Sequence, residues 1–401
     1  MWVSAIPSRT ITSVSSHGVA LAGFYGHGNF GDDLMAIIFG RHLQALGVPF
    51  RIYRLCTPYA APFDLPVAHT IDELLEGADT LIWGGGGLLV PWDARRFERS
   101  FPGVAEEFAT LVATAKRRGM RLLAASVGGS EYNDASLSPA YKADFVAAAE
   151  SITVRNRGDC AHLSALGYKA EYFPDVVWQT ATHFPLTPTR GPGLRIGLDL
   201  YAENLQRRHA LYLLPLIQLL IWRRSDCRFI FLNSRNASQS GEQRLGRLFF
   251  GNNVQHYRFQ HPADDIATLA SLDLLLSTRL HTPMVALQYH VPVLSLFGEG
   301  KTRLLCSELG LMEYAYTHRD VPHLFSLLAS RRRLDCFLSN YRFPELAVLA
   351  GGSRGHLDRL TQLLNPGNIA RLTTPAEESL SPAVNQDQQE HARPRLHRES
   401  S

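Results

Sequence analysis

VALAGFYGHGNFGDDLMAIIFGRHLQAL, residues 19–46, holds the unit from which the rest of the chain is read. The apolar run Val19–Tyr25 has the length of a buried strand. Gly26-His27-Gly28-Asn29-Phe30-Gly31-Asp32-Asp33 then breaks the run. From Asp32 to Leu46 the apolar residues Leu34, Ile37, Ile38, Leu43 and Leu46 recur at helical spacing. A strand, a glycine turn and an amphipathic helix make one βα unit. Repetition of that unit predicts a mostly parallel sheet with helices on its faces.

The unit does repeat. Phe50–Leu55, Thr80–Trp83, Arg121–Val127 and Ser151–Val154 read as further strands, with helices over Ile71–Glu76, Phe101–Arg118, Pro139–Glu150 and Gly158–Leu166. Phe184–Gly193 (FPLTPTRGPG) carries three prolines and two glycines and reads as a linker. A second set follows, with strands at Arg195–Leu200, Arg228–Asn233, Leu272–Ser277 and Val293–Phe297. Its helices fall at Ala210–Arg223, Gly241–Phe249, Asp264–Ser271, Thr282–Tyr289 and Lys301–Leu309, and a helical end runs to about Leu364. The expected fold class is α/β, with two Rossmann-like doubly wound domains facing a cleft. Their expected limits are 1–185 and 186–365. From Pro366 there is no Phe, Tyr, Trp, Met or Cys, so residues 366–401 are expected to be a disordered tail.

The bulk properties of the 401 residues narrow the function. Apolar residues make up 45% and charged residues 19%, values of a globular chain rather than a fibrous or wholly disordered one. A net charge of +3 is too small to argue for nucleic acid. The basic runs Lys116–Arg118, Arg207-Arg208, Arg223-Arg224 and Arg331–Arg333 read as solvated faces. Five scattered cysteines without a CxxC pair exclude zinc-ribbon and thioredoxin-like readings and suit a reducing cytoplasm. The N-terminus lacks the pattern of a signal peptide, and Ala210–Trp222 is too short to span a bilayer. The expected location is therefore cytoplasmic, with peripheral contact at the inner face of the membrane left open. No metal-ligand spacing appears, so no obligatory metal is expected.

The chemistry concentrates at strand–helix junctions. In open α/β sheets ligands bind beyond the carboxyl ends of the strands. The first turn lacks GxGxxG spacing and a Walker lysine, which excludes a phosphate loop of that kind. Asp32 and Asp33 would repel phosphate there. They suit an acidic helix cap or, with Asn29, the binding of sugar hydroxyls. Gly84–Gly87 ends the third strand, and four glycines suggest close passage of a substrate, at Gly85 and Gly86, or of the other domain. Gly128-Gly129 repeats the arrangement. Arg155 and Arg157 follow a strand, and Asp159 reads as the cap of the next helix. In the second half, Arg279-Leu280-His281 joins a guanidinium, which recognises carboxylate or phosphate by a fork, to an imidazole able to carry a proton near neutrality.

Only four residues are lysine, against 36 arginines. Lys116, Lys142 and Lys169 read as surface residues, whereas Lys301, in Gly298-Glu299-Gly300-Lys301, opens a helix where a cation opposes the dipole. Together, Arg155, Arg279, His281 and Lys301 describe an anion-binding cleft with a proton carrier, suited to a small phospho-carboxylate.

These residues lie in motifs that resemble, in order, those of the polysaccharide pyruvyl transferase family: GHGNFGDD, LIWGGGGLL, SVGGS, ITVRNRGD with PDVVW, STRLHTPMVALQYHVPVLSL and GEGKTRLLCSELGL. The resemblance covers about residues 20 to 315 and implies a GT-B-like fold. It also implies phosphoenolpyruvate as donor substrate, with no further cofactor, and a sugar or lipid-linked oligosaccharide as acceptor. By the same resemblance Arg155 and Arg279 would hold phosphate and carboxylate, His281 would act as acid and base, and Lys301 would stabilise departing phosphate. Asn156 departs from the family pattern, in which an acid often follows the arginine. Two other readings stay open: a GT-B-like glycosyltransferase of a nucleotide sugar, with Glu299 on the ribose, and a non-catalytic anion-binding protein of a polysaccharide pathway. Acceptor identity and oligomeric state are not legible.

Overall fold

The computed structural model describes residues 18–89, 101–129, 140–189, 191–200, 215, 217–234, 254–296 and 300–365. The expected helix at Gly241–Phe249, Glu299 and the tail from Pro366 lie outside these residues.

Two parallel sheets organise the chain. The first comprises β1 (Gly18–Ala22), β2 (Phe50–Tyr53), β3 (Val67–Ala68), β4 (Ala78–Gly84), β5 (Arg121–Val127), β6 (Ser151–Val154) and β7 (Glu171–Tyr172), in the order β3-β2-β1-β4-β5-β6-β7. The second comprises β8 (Leu194–Asp199), β9 (Cys227–Asn233), β10 (Gln255–Arg258), β11 (Leu274–Ser277), β12 (Val293–Leu296) and β13 (Ala315–Tyr316), in the order β10-β9-β8-β11-β12-β13. Both sheets run outward from their first strand in one direction and then in the other. Each therefore has a switch point, between β1 and β4 and between β8 and β11, where neighbouring connections leave in opposite directions. This is the doubly wound α/β architecture expected from the βα rhythm.

The first helix, α1 (Phe30–Ala45), is buried along most of its length, Leu34 to Phe39 without a break. A helix apolar all round needs cover on more than one side, and elements of both halves supply it. The Phe30 N–H donates to the Ser234 carbonyl at 3.2 Å, and the Phe30 ring meets Phe259 edge-on with centroids 4.8 Å apart. Tyr59 adds a buried hydrogen bond to Asp265 across the same boundary, 2.6 Å long. Behind the first sheet, α2 (Val104–Arg117) packs Phe108, Leu111 and Val112 against Trp83 and Leu122. Lys142, expected at the surface, is fully buried in the helix Ala140–Ala148.

The last described helices return to the first sheet, although the sequence reading places them with the second half. At the junction of α8 (Leu346–Ser353) and α9 (Gly355–Leu364), a Cβ on Gly355 would lie 2.2 Å from the Phe173 ring, and one on Gly352 would lie 3.1 Å from Pro174. His356 is fully buried beside Thr153 of β6, with Nδ1 2.7 Å from the hydroxyl. Gln179 donates to Ser353 at 2.7 Å. Close backbone approach, rather than sequence proximity, decides where this hairpin packs.

Candidate active site

β6 delivers Arg155 to the carboxyl edge of the first sheet, where its N–H still pairs with the Val127 carbonyl at 3.1 Å. Its side chain crosses Gly128, at which a Cβ would stand 2.3 Å from Nε. Only glycine leaves that path open. Arg155 Nη1 then donates to Asp175 Oδ2 at 3.0 Å and lies 3.1 Å from His281 Nε2. A guanidinium has no acceptor, so Nε2 accepts from Arg155 whenever that nitrogen carries no proton. Asp175 Oδ2 is 3.7 Å from the same nitrogen, close enough to pair with the ring once it is protonated. All three side chains are buried or nearly so. Arg155 and Asp175 come from the first half, whereas His281 opens α4 (His281–Gln288) of the second.

Several contacts fix this triad. Asp175 Oδ1 caps the turn Val176–Gln179 by accepting the Val177 N–H at 2.9 Å. The Val176 N–H donates to Ser126 Oγ at 3.0 Å. Ser126 sits at φ 55°, where the β5–β6 register slips between Ala124 and Val127. A left-handed serine at a bulge is costly and re-aims the side chain, here onto the segment carrying Asp175. Burial alone would push the Asp175 carboxyl upward. Arg155, His281 and the Val177 N–H outweigh burial and hold it well below the usual carboxylate range.

Gly31 explains the position of the imidazole. A Cβ on Gly31 would lie 1.8 Å from His281 Nδ1, so the first turn of α1 seats directly against the ring. Close passage of the other half, expected at Gly84–Gly87, therefore occurs at Gly31. Within the four-glycine run, internal packing fills the space: Tyr25 stands where a Gly84 Cβ would be, Met35 where a Gly85 Cβ would be, and Gly85 and Gly86 have φ of 79° and 74°.

The acidic turn also differs from a simple cap. Asn29 occupies the N-cap position of α1 and donates its amide to Asp32 at 2.5 Å. Asp32 faces Gly86 across the β1–β4 switch point, 3.4 Å from the position of a Cβ there. Asp33 accepts the Gly26 N–H at 2.7 Å. Burial, opposed by that bond and reinforced by Asp32, pushes its carboxyl up to about 7. On the other side, Asn156 rather than Asp159 caps α3 (Arg157–Ala165), accepting the Asp159 N–H at 2.8 Å while its amide donates to the Asp159 carboxylate. Asp159 accepts the Gly129 N–H as well, at 2.8 Å. An acid at position 156 would set two carboxylates against each other, so asparagine fits this arrangement.

At the second switch point, Asp199 ends β8 beside Ser277 of β11. It accepts from Ser234 at 2.9 Å, from Ser277 at 3.3 Å and from Thr282, and it lies 3.4 Å from Arg279 Nε. Asp199 thus ties Arg279 to the second sheet. A cleft runs past Arg155, Asn156, Asp175, Leu280, Met284 and Glu308. Lys301 lies in the first turn of α5 (Gly300–Glu308), on the helix that carries Glu308 into the cleft wall.

Sequence reasoning missed Asp175 and Asp199 as site residues. Each leaves a signal: an acid between Pro174 and the apolar Val176-Val177-Trp178, and an acid closing an otherwise apolar strand.

The sequence matches the polysaccharide pyruvyl transferase family over residues 29–296. No curated protein matches it. Among solved structures, a complex of Staphylococcus aureus MnaA with UDP is similar at a TM-score of 0.63 and 12% identity, covering 87% of this chain and 97% of that one. A UDP-GlcNAc 2-epimerase from Methanocaldococcus jannaschii, in complex with UDP-GlcNAc and UDP, is similar at a TM-score of 0.57 and 10% identity, covering 86% and 99%. At such identities the likeness is one of fold, and the fold is GT-B.

Proposed function

The chain belongs to the polysaccharide pyruvyl transferase family, and from that premise we propose that it moves the pyruvyl group of phosphoenolpyruvate onto a sugar of a surface polysaccharide precursor. The product is a ketal across two hydroxyls, and phosphate is released. The observation that carries this reading is the Arg155–Asp175–His281 triad, assembled from both halves at a cleft.

The chemistry asks for two proton movements. The methylene carbon of the donor gains a proton to become methyl, while one sugar hydroxyl loses its proton and adds to the adjacent carbon. A second hydroxyl then attacks that carbon, the C–O bond to phosphate breaks, and the second proton leaves with phosphate. A neutral imidazole accepting at Nε2 can take a hydroxyl proton, and Asp175 stabilises the imidazolium that results. Protonation ends the acceptance from Arg155, whose fork is then directed at donor phosphate or carboxylate. Arg279 lies two residues from His281 and supplies the second anion contact. Lys301 adds charge as phosphate departs. Asn29, Asp32 and the adjacent Gly86 serve the acceptor hydroxyls, and reaction takes place on the cytoplasmic side of the membrane.

Purified protein mixed with phosphoenolpyruvate and a panel of lipid-linked or nitrophenyl sugars should release phosphate and raise one sugar's mass by a pyruvyl ketal. Turnover of UDP- or GDP-sugars without phosphoenolpyruvate would overturn the reading in favour of glycosyl transfer. His281→Ala should abolish turnover in a folded protein, and Lys301→Arg should lower it substantially.

A further inference from the structure

The two arginine runs that read as separate solvated faces meet in space. The helix over 217–223 buries Ile217 and Leu220, each 1% exposed, and turns Leu219 and Trp222 outward at 41% and 79%. An exposed leucine is ordinary, but a tryptophan so exposed leaves a large apolar ring in water. Just beyond, Arg224 grips Asp226 through Nε at 2.7 Å and Nη2 at 2.9 Å and donates from Nη1 to the Leu328 carbonyl at 2.5 Å. These bonds fold 224–226 onto the end of α6 (Val321–Ala329). They bring Arg331, the first residue of α7 (Arg331–Ser339), to 3.5 Å from Asp226.

The two linked segments carry Arg223, Arg228 and Arg331–Arg333 at exposed positions, with Asp226 and Asp335 as their acids, although the whole chain carries only +3. Three of them fill the first turn of α7, which has no acid. Cations oppose the helix dipole there, so an anionic surface would relieve an arrangement that water alone does not favour.

We infer that the face carrying Leu219, Trp222, Arg223 and Arg331–Arg333 docks on an anionic lipid bilayer. An indole beside guanidinium groups suits the headgroup boundary, where the ring enters the acyl edge and the cations meet phosphate. The surface lies at the amino ends of the second sheet's strands, away from the triad, so the inference does not depend on the reaction proposed above.

Co-sedimentation of the full chain with vesicles tests it. Phosphatidylcholine vesicles containing phosphatidylglycerol should pull the protein down, pure phosphatidylcholine should not, and binding should weaken several-fold in high salt. Trp222→Ser, and separately Arg331→Glu with Arg332→Glu, should each cut binding by roughly tenfold. Both changes lie on exposed side chains, and unchanged thermal unfolding would show that the fold survives. A blue shift of fluorescence on vesicle addition should appear in the wild type and be lost in Trp222→Phe. No binding, binding indifferent to lipid charge, or variants that bind like wild type would overturn the inference. So would variants that lose only DNA binding or only concentration-dependent self-association, with vesicle binding intact.

Discussion

Two buried carboxylates meet opposite fates: Asp175, beyond edge strand β7 of the first sheet, and Asp199, at the end of central strand β8 of the second. Burial pushes both upward. At Asp175 the push is overcome, because Arg155 donates at 3.0 Å and His281 and the Val177 N–H add to it. At Asp199 three hydroxyls and Arg279 at 3.4 Å do not overcome it, and its carboxyl stays above the ordinary range. Hydroxyl donors satisfy lone pairs without bringing charge, whereas a close guanidinium brings both. Asp175 is also shared between the halves, while among the described residues the side-chain partners of Asp199 come from the second half. The comparison assigns charge to the shared carboxylate and mainly hydrogen bonding to the other.

The sharpest way to break it is Asp175→Asn. Removing one partner of a buried pair leaves Arg155 uncompensated, so urea unfolding at pH 7 should show a loss of about 3–5 kcal/mol. Phosphate release should fall by about 10³-fold or more, since a neutral amide cannot stabilise an imidazolium. Wild-type stability and turnover in this variant would remove Asp175 from the site.

Acid should act next, through the hairpin behind the triad. Burial pushes the His356 imidazole down to about 4. A depressed histidine favours the neutral folded form, so its contribution is present above about pH 6.5 and is lost as pH falls towards 4, by roughly 3 kcal/mol. Asp33, pushed up to about 7, has the opposite sign: its contribution is present below about pH 4 and is lost as pH rises towards 7. Urea titrations from pH 4 to 7 should therefore show a steeper acid loss in Asp33→Asn than in wild type, and a shallower one in His356→Phe. Parallel curves for all three proteins would contradict both assignments.

Gly355→Ala tests whether that hairpin positions the triad. Its Cβ would strike Phe173, two residues before Asp175. Overpacking of this kind costs about 1–3 kcal/mol, and a displaced Asp175 should lower kcat more than it raises KM. Adding Phe173→Leu should restore much of both. Restoration of stability without kcat would make the contact structural only.

The contrast also marks what was legible in the sequence. The βα rhythm from Val19 to Leu46 carries through both halves, because a buried parallel strand and its covering helix impose local periods of their own. Arg155 and His281 stood out because each follows a strand. Asp175 did not, since its role depends on a residue 126 positions beyond Arg155 meeting the same guanidinium. The return of α8 and α9 was equally hidden. Gly352 and Gly355 carry no signal of their own in a stretch that reads as a helical end, and only the rings of Pro174 and Phe173 beneath them show why a side chain is excluded.

Asp199→Asn is the quiet counterpart to the first variant. Its raised carboxyl marks a site that tolerates the neutral form, so an amide of the same shape gives up little. Stability at pH 7 should change by less than about 1 kcal/mol, with the amide still accepting from Ser234 or Thr282. The slope of stability with rising pH that a raised carboxyl imposes should flatten, because no proton remains to be lost. The Arg279 N–H keeps its bond to the Ser277 hydroxyl at 3.0 Å, so the affinity for phosphoenolpyruvate should shift by a few-fold at most. A loss as large as that of Asp175→Asn would show that Arg279 needs a charged partner as much as Arg155 does, and the two carboxylates would then have to be read as equivalent.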